Sequence, residues 1–179
     1  MNRRALTKVV TRSITSYLVK KGYSVENELA VLPWGKRRAD IVGIRLNGEI
    51  CIIEVKSCKA DFKSDSKYKE YLPFCNKMYI AVPPNSEWIN EYKDMLKQDG
   101  IGILILNQNG VRVKQLQYAT KRTMKKKVKI NFLIRLSWRA CLFSKRTVSG
   151  TMIKRNEDTG IDYLEMKYRS KYTALGKIK

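Results

Sequence analysis

Leu6, Val9, Val10, Ile14, Tyr17 and Leu18 recur near a 3.6-residue period, which predicts a helix with one apolar face. Asn2 can cap its start, Lys20 and Lys21 suit its negative C-terminal end, and Gly22 is a natural left-handed stop, so it should end near Lys21. Ser24 to Leu32 reads as a strand, followed by a turn at Pro33-Trp34-Gly35. Two further strands, Arg37 to Leu46 and Glu49 to Ser57, meet at Asn47-Gly48, the strongest hairpin signal in the chain. Residues 59–71 read as a helix that Pro73 helps to end, and Lys77 to Val82 as an apolar strand stopped by Pro83-Pro84. Ser86 should cap a helix over Glu87 to Gln98, with Gly100 ending it. Ile101 to Leu106 is a continuous apolar run, expected to be a strand covered on both faces, and Val111 to Gln117 a last strand. Helix, three strands, helix, strand, helix and two strands make a mixed sheet flanked by helices, an α/β (α+β) architecture.

The pattern changes beyond residue 120. Ile130 to Phe143 suggests a helix docking on the module, with Arg135 and Arg139 one turn apart. Residues 145–179 have weak periodicity, with Tyr163, Tyr168 and Tyr172 interleaved among basic residues, and are expected to be flexible until bound. Charge draws the same line. The chain of 179 residues carries 37 Lys+Arg against 16 Asp+Glu, a net charge of +21. Residues 1–120 hold 20 basic and 12 acidic residues, while 121–179 hold 17 basic and 4 acidic. Residues 1–120 are therefore read as the folded module and 121–179 as a basic, partly helical extension. A surplus of this size points to a polyanion, most simply nucleic acid.

Composition also excludes chemistry. Histidine is absent, which removes His-dependent zinc sites, Ser-His-Asp and Cys-His triads, and nucleases with a His base. The four cysteines have no CxxC spacing, so buried free thiols are expected. Neither a leader segment nor a membrane span is legible, and the expected setting is soluble and cytoplasmic, in a bacterial or virus-infected cell.

Candidate chemistry lies in Arg37-Arg38-Ala39-Asp40 and Ile52-Ile53-Glu54-Val55-Lys56. Side chains alternate along a strand, so Glu54 and Lys56 share a face and need partners if that face is buried. A three-residue hairpin loop, Leu46-Asn47-Gly48 with Gly48 left-handed, pairs Arg45 with Glu49 and brings Asp40 opposite Glu54. A two-residue Asn-Gly turn would instead set Asp40 against Val55, on the wrong side. Two facing carboxylates repel unless a cation lies between them, and an oxygen site with open positions suits Mg²⁺ or Mn²⁺. Asp40, Glu54 and the Val55 carbonyl are then the metal candidates, with Lys56 orienting or helping to deprotonate a water for phosphodiester hydrolysis. Glu28 is a candidate outer ligand, although Glu26 shares its face.

Around this centre, Asp61 and Asp65 are four apart on the expected helix and could steer Lys56 or Arg38. Arg38 shares the face of Asp40 and could grip a phosphate oxygen, whereas Arg37 belongs on the surface. Tyr71 and Tyr79 are read as core residues with satisfied hydroxyls. Lys67, Lys125, Lys126, Lys127, Arg135 and Arg139 are candidate substrate contacts, and the late tyrosines could stack on unpaired bases.

The run from Glu28 through Asp40 to Glu54-x-Lys56 resembles the PD-(D/E)XK nuclease superfamily. More narrowly, residues 5–117 resemble the MmcB-related DNA repair proteins, through Asn27-Glu28-Leu29, Arg37 to Asp40, Ile53 to Ser57, Ala60-Asp61-Phe62-x-x-Asp65-x-Lys67, Tyr71, Cys75 and Tyr79-x-Ala81-Val82-Pro83. The match ends near residue 120. The resemblance implies a restriction-endonuclease-like αβββαβ core, divalent-metal dependence and action on DNA in repair or processing. It supports Glu28 over Glu26 and admits a homodimer. A non-catalytic DNA-binding or recruitment module on the same fold is the alternative, and an RNA-directed nuclease a third.

Overall fold

A computed structural model describes residues 2–31, 37–65 and 67–148, with side chains through Ser137. The chain divides into two units, residues 1–132 and 133–179. The first begins with helix α1 (Arg3–Lys20), where the Asn2 side chain accepts from the Arg4 N–H as an N-cap. Strands β1 (Ser24–Ala30), β2 (Arg38–Ile44) and β3 (Ile50–Val55) follow, then helix α2 (Lys59–Ser64) and a 3₁₀ segment, Lys67–Phe74. Strand β4 (Lys77–Val82), a 3₁₀ segment over Glu87–Tyr92, helix α3 (Lys93–Gln98) and strands β5 (Gly102–Leu106) and β6 (Val113–Gln117) complete the sheet. Helix α4 runs over Lys126–Val148. The proposed turn at residues 33–35 and the tyrosines of the tail lie outside the described residues.

The six strands lie side by side in chain order. β1, β2 and β3 are an antiparallel meander, β3, β4 and β5 are parallel, and β6 returns antiparallel. The first seven elements are thus the expected αβββαβ core of the restriction-endonuclease-like fold, extended by two strands. Helix α1 lays Val10, Ile14 and Leu18 on one sheet face, against Ile41, Cys51, Ile53, Val55 and Ala81. The alternate residues, Val42, Ile50, Ile52, Met78 and Ile80, are equally buried on the other face, where the Lys67–Phe74 segment packs on β3 and β4. A central strand buried on both sides makes any charged residue on it costly, and β3 carries Glu54 and leads into Lys56.

Two expected helices are broken. Residues 59–71 form α2 and a 3₁₀ segment rather than one helix, with Asp65 extended at φ −113°, ψ 94° between them. Ser64 and Asp65 bond to the local backbone, to the Asp61 carbonyl and the Lys67 N–H, which offers the chain an alternative to helical pairing. Residues 87–98 likewise start as a 3₁₀ segment, and Ser86 caps nothing with its side chain. Among the described residues, no helix is long and apolar enough to cross a membrane.

Candidate active site

The hairpin decides the site. The Arg45 N–H donates to the Glu49 carbonyl (3.0 Å), the Gly48 N–H to the Arg45 carbonyl (2.8 Å), and Gly48 has φ +75°. This is the three-residue loop, and β2 and β3 pair in its register, Ile41 with Ile53 and Ile44 with Ile50. Continued by one residue, the register puts Asp40 opposite Glu54. Two hydrogen bonds cross the pair: the Asp40 N–H donates to Glu54 Oε1 (3.2 Å) and the Val55 N–H to Asp40 Oδ2 (2.7 Å). Each carboxylate is held by the other's strand, with one oxygen committed and one left over.

Lys56 completes the cluster. Its Nζ lies 3.7 Å from Glu54 Oε2 and makes a close ion pair with Asp65 Oδ2. Glu54 and Lys56 are each only 4% exposed, so their charges interact through little water. Burial, then the neighbouring charge of Asp40, pushes the Glu54 carboxyl up to about 8. Burial pushes Asp40 up to about 6, against the hydrogen bond from Val55. Burial pulls the Lys56 ammonium down, but the Asp65 hydrogen bond and the nearby carboxylates outweigh it, and Lys56 titrates above the ordinary lysine range.

The third carboxylate stands apart. β1 pairs with β2 so that Glu28 falls opposite Asp40, which places Glu28, Asp40 and Glu54 in one row across three strands and separates Glu28 from Glu26. Glu28 has φ +56°, a left-handed conformation within a strand, and its Oε2 is 2.6 Å from Arg38 Nε. Among the described residues, no three His, Cys, Asp or Glu side chains converge on one point. The donor set still fits a hard divalent cation. It is all oxygen, it pairs two facing carboxylates that Lys56, shared with Asp65, offsets only in part, and Mg²⁺ keeps most of its waters and needs few protein ligands.

The surrounding residues divide differently from the sequence reading. Asp65 does hold Lys56. Asp61 does not face Lys56 or Arg38 as expected; it accepts from the Ser57 N–H (3.1 Å) and hydroxyl (3.0 Å) and pairs with Arg3 (2.8 Å). The break at Asp65 is the reason, since the two aspartates no longer share one helix face. Tyr71 donates to the Arg38 carbonyl (3.0 Å), fixing the start of β2, and Tyr79 accepts from Gln115 (3.2 Å). Arg37 pairs with Glu70 through two contacts on the surface, 2.5 and 2.9 Å. Lys67 is exposed, as are Lys125, Lys126 and Lys127 where α4 begins. Arg135 and Arg139 lie on α4 in the second unit. The sequence reading missed Arg3 and Ser57, which tie the start of α1 to the end of β3 (3.0 Å); no local pattern announces a contact 54 residues apart.

A family model for DNA repair proteins of the MmcB-like type matches residues 2–140. The chain belongs to the MmcB-like family. The match runs past residue 120, where the resemblance read from the sequence ended. No curated protein matches it. Among solved structures, a protein of unknown function from Silicibacter pomeroyi is similar at 21% identity and a TM-score of 0.66, over 85% of this chain and 97% of that one. That likeness shows the fold of this MmcB-like chain. Two others are partial: an XisH family protein from Nostoc punctiforme (20% identity, TM-score 0.44, 60% of this chain and 97% of that one) and a repair endonuclease from Pyrococcus abyssi (15%, 0.37, 56% and 46%).

Proposed function

We propose that the protein is a divalent-metal-dependent DNA endonuclease that hydrolyses phosphodiester bonds in DNA repair or processing. The observation that carries this is the crossed hydrogen-bonded pair of Asp40 and Glu54 with buried Lys56 beside it. Membership of a DNA repair family supports DNA as the substrate. Asp40, Glu54 and the Val55 carbonyl would hold Mg²⁺ or Mn²⁺, which when bound lowers the pKa of a water and polarises the scissile phosphate. Lys56, pinned by Asp65, orients the attacking water and offsets charge on the attacked phosphorus centre. Arg38, released from Glu28, grips a phosphate oxygen in this reading. Glu28 then serves as an outer carboxylate beside the metal.

Incubation with supercoiled, flapped and branched DNA plus Mg²⁺ or Mn²⁺ tests the proposal. Cleavage is expected, and Glu54→Ala and Asp40→Asn should each lower it by about 100-fold or more, since each removes direct stabilisation of developing charge. Absence of cleavage of every form, or cleavage unchanged in Glu54→Ala, sinks it. A second reading is a DNA-binding module that does not cut, and the Glu28–Arg38 pair favours it by withholding the third carboxylate. Metal calorimetry separates the two, because a pure binder has DNA affinity indifferent to divalent ions and to Asp40→Asn.

A further inference from the structure

Between α1 and the edge strand β1 runs a groove of about 430 Å³, lined by Thr7, Lys8, Thr11 and Arg12 on one side and by Glu28 on the other. Thr15 closes its far end by donating to Asn27 Oδ1 (3.3 Å). The helix builds this wall by spacing. Residues four apart rise about 6 Å and stay on one side, so Thr7, Thr11 and Thr15 make one row, with Lys8 and Arg12 as a parallel row beside it. The buried face of α1, Val10, Ile14 and Leu18, is turned to the sheet, which leaves these rows to solvent.

The charges here are unspent. Arg3, Arg37 and Arg38 are each paired with a carboxylate. Lys8 and Arg12 are exposed and have no ion pair among the described residues. Hydroxyls and two free cations on a rigid helix match a chain of phosphates better than they match bases, which need apolar walls or stacked rings. The groove also leads toward the site. Asp40 and Glu54 alternate with Ile41, Ile53 and Val55 and so lie on the sheet face away from α1, and the edge-strand residue Glu28, which lines the groove and falls opposite Asp40, marks where a strand would cross the β1 edge to reach them. Arg3 fixes the start of α1 to Ser57 and Asp61 just beyond Lys56.

We propose that this groove is a backbone track for one DNA strand. Lys8 and Arg12 each neutralise a phosphate, the Thr11 hydroxyl, unlike those of Thr7 and Thr15, is free to donate to a phosphate oxygen, and the strand is led past Glu28 to Asp40 and Glu54. The proposal rests on the reading that this site acts on DNA, and it adds where the strand enters.

The test is binding of labelled single-stranded and flapped DNA to the full chain in EDTA, where no cutting intrudes, across a range of KCl. Lys8→Ala/Arg12→Ala should lower the slope of log affinity against log salt by about 1.4 to 1.8, two phosphate contacts' worth, and weaken binding about tenfold or more. Lys8→Arg/Arg12→Lys should keep the slope, and so should Lys20→Ala/Lys97→Ala, which removes equal charge outside the groove. A double-alanine variant with the slope and affinity of that control overturns the track. So does a charge-keeping variant that loses as much as the alanines, because the effect would then be structural. If the wild type cuts no DNA while the double-alanine variant loses slope, the track stands and the nuclease reading fails. If Glu54→Ala abolishes cutting while the double-alanine variant binds normally, the nuclease stands and the track fails.

Discussion

Glu54 sits where a carboxylate is least welcome, on a strand buried on both faces and opposite a second carboxylate. The cation beside it, Lys56, is shared with Asp65. A fold that keeps two facing carboxylates with one shared ammonium gives up stability, as functional sites often do. The sign follows from the raised pKa values of about 8 for Glu54 and about 6 for Asp40. A carboxylate whose pKa is raised by folding favours the folded state while it is protonated, and that favour is lost as pH climbs through the folded pKa. The metal-free protein should therefore be less stable at pH 9 than at pH 5 on account of this pair. Glu54→Gln should raise stability at pH 9 by about 1–3 kcal/mol and change little at pH 5. Saturating Mg²⁺ should reverse the order, because only the wild type gains binding energy. Thermal unfolding at both pH values, with and without Mg²⁺, checks this; a Glu54→Gln midpoint equal to the wild type's at pH 9 without metal refutes it.

A carboxylate also has to be delivered by its strand, and at the scale of elements β1 does this for half-exposed Glu28 by local strain. Glu28 holds φ +56° while the residues on either side keep the β1–β2 register, which costs a non-glycine residue about 1 kcal/mol or more. Glu28→Gly, free of that penalty, should match or exceed wild-type stability despite losing the Arg38 pair. Glu28→Val, β-branched and unable to adopt the conformation cheaply, should cost about 1–3 kcal/mol in urea unfolding. Equal midpoints for the two variants would show that the strain is not real. This is also where the sequence stopped being legible. The β2–β3 hairpin could be read in full, because Asn47-Gly48 marks the turn and only one loop length puts Asp40 beside Glu54. Period-two alternation cannot separate Glu26 from Glu28, and a glutamate carries no signal for a left-handed backbone. The break at Asp65 was hidden for a related reason. Apolar spacing over 59–71 suits a helix, and the local hydrogen bonds of Ser64 and Asp65 that override it leave no mark in that spacing. That break is what frees Asp65 to reach Lys56.

Over the whole molecule, a charge of +21 is not one undivided reservoir for binding. The basic run from Lys121 to Lys127 splits into two parts. Lys121 Nζ lies 3.7 Å from buried Glu49, which also takes hydrogen bonds from Tyr23 (2.5 Å) and Lys77 (3.2 Å). Arg122 caps the Asp99 carbonyl with its side chain, while its N–H and carbonyl bond to Asn76 at 2.8 and 2.9 Å. These two residues fasten the chain after β6 to Glu49, Asn76 and Asp99, and Met124 is buried just beyond them in sequence. Lys125, Lys126 and Lys127 are exposed and without ion pairs among the described residues. Counterion release counts only cations that meet phosphates, so the two parts should respond oppositely to substitution. Replacing Lys125, Lys126 and Lys127 together by alanine should lower the salt slope of DNA binding by about 2 to 2.7 and leave the unfolding midpoint unchanged within error. Replacing Lys121 and Arg122 by alanine should instead lower the midpoint, through a loss of stability of about 1–3 kcal/mol for the buried acceptors left unpaired, with little change in slope. Titrations across salt beside thermal melts of both variants decide the matter. A triple variant with the wild-type slope would mean that the exposed lysines keep the protein in solution and do not touch DNA.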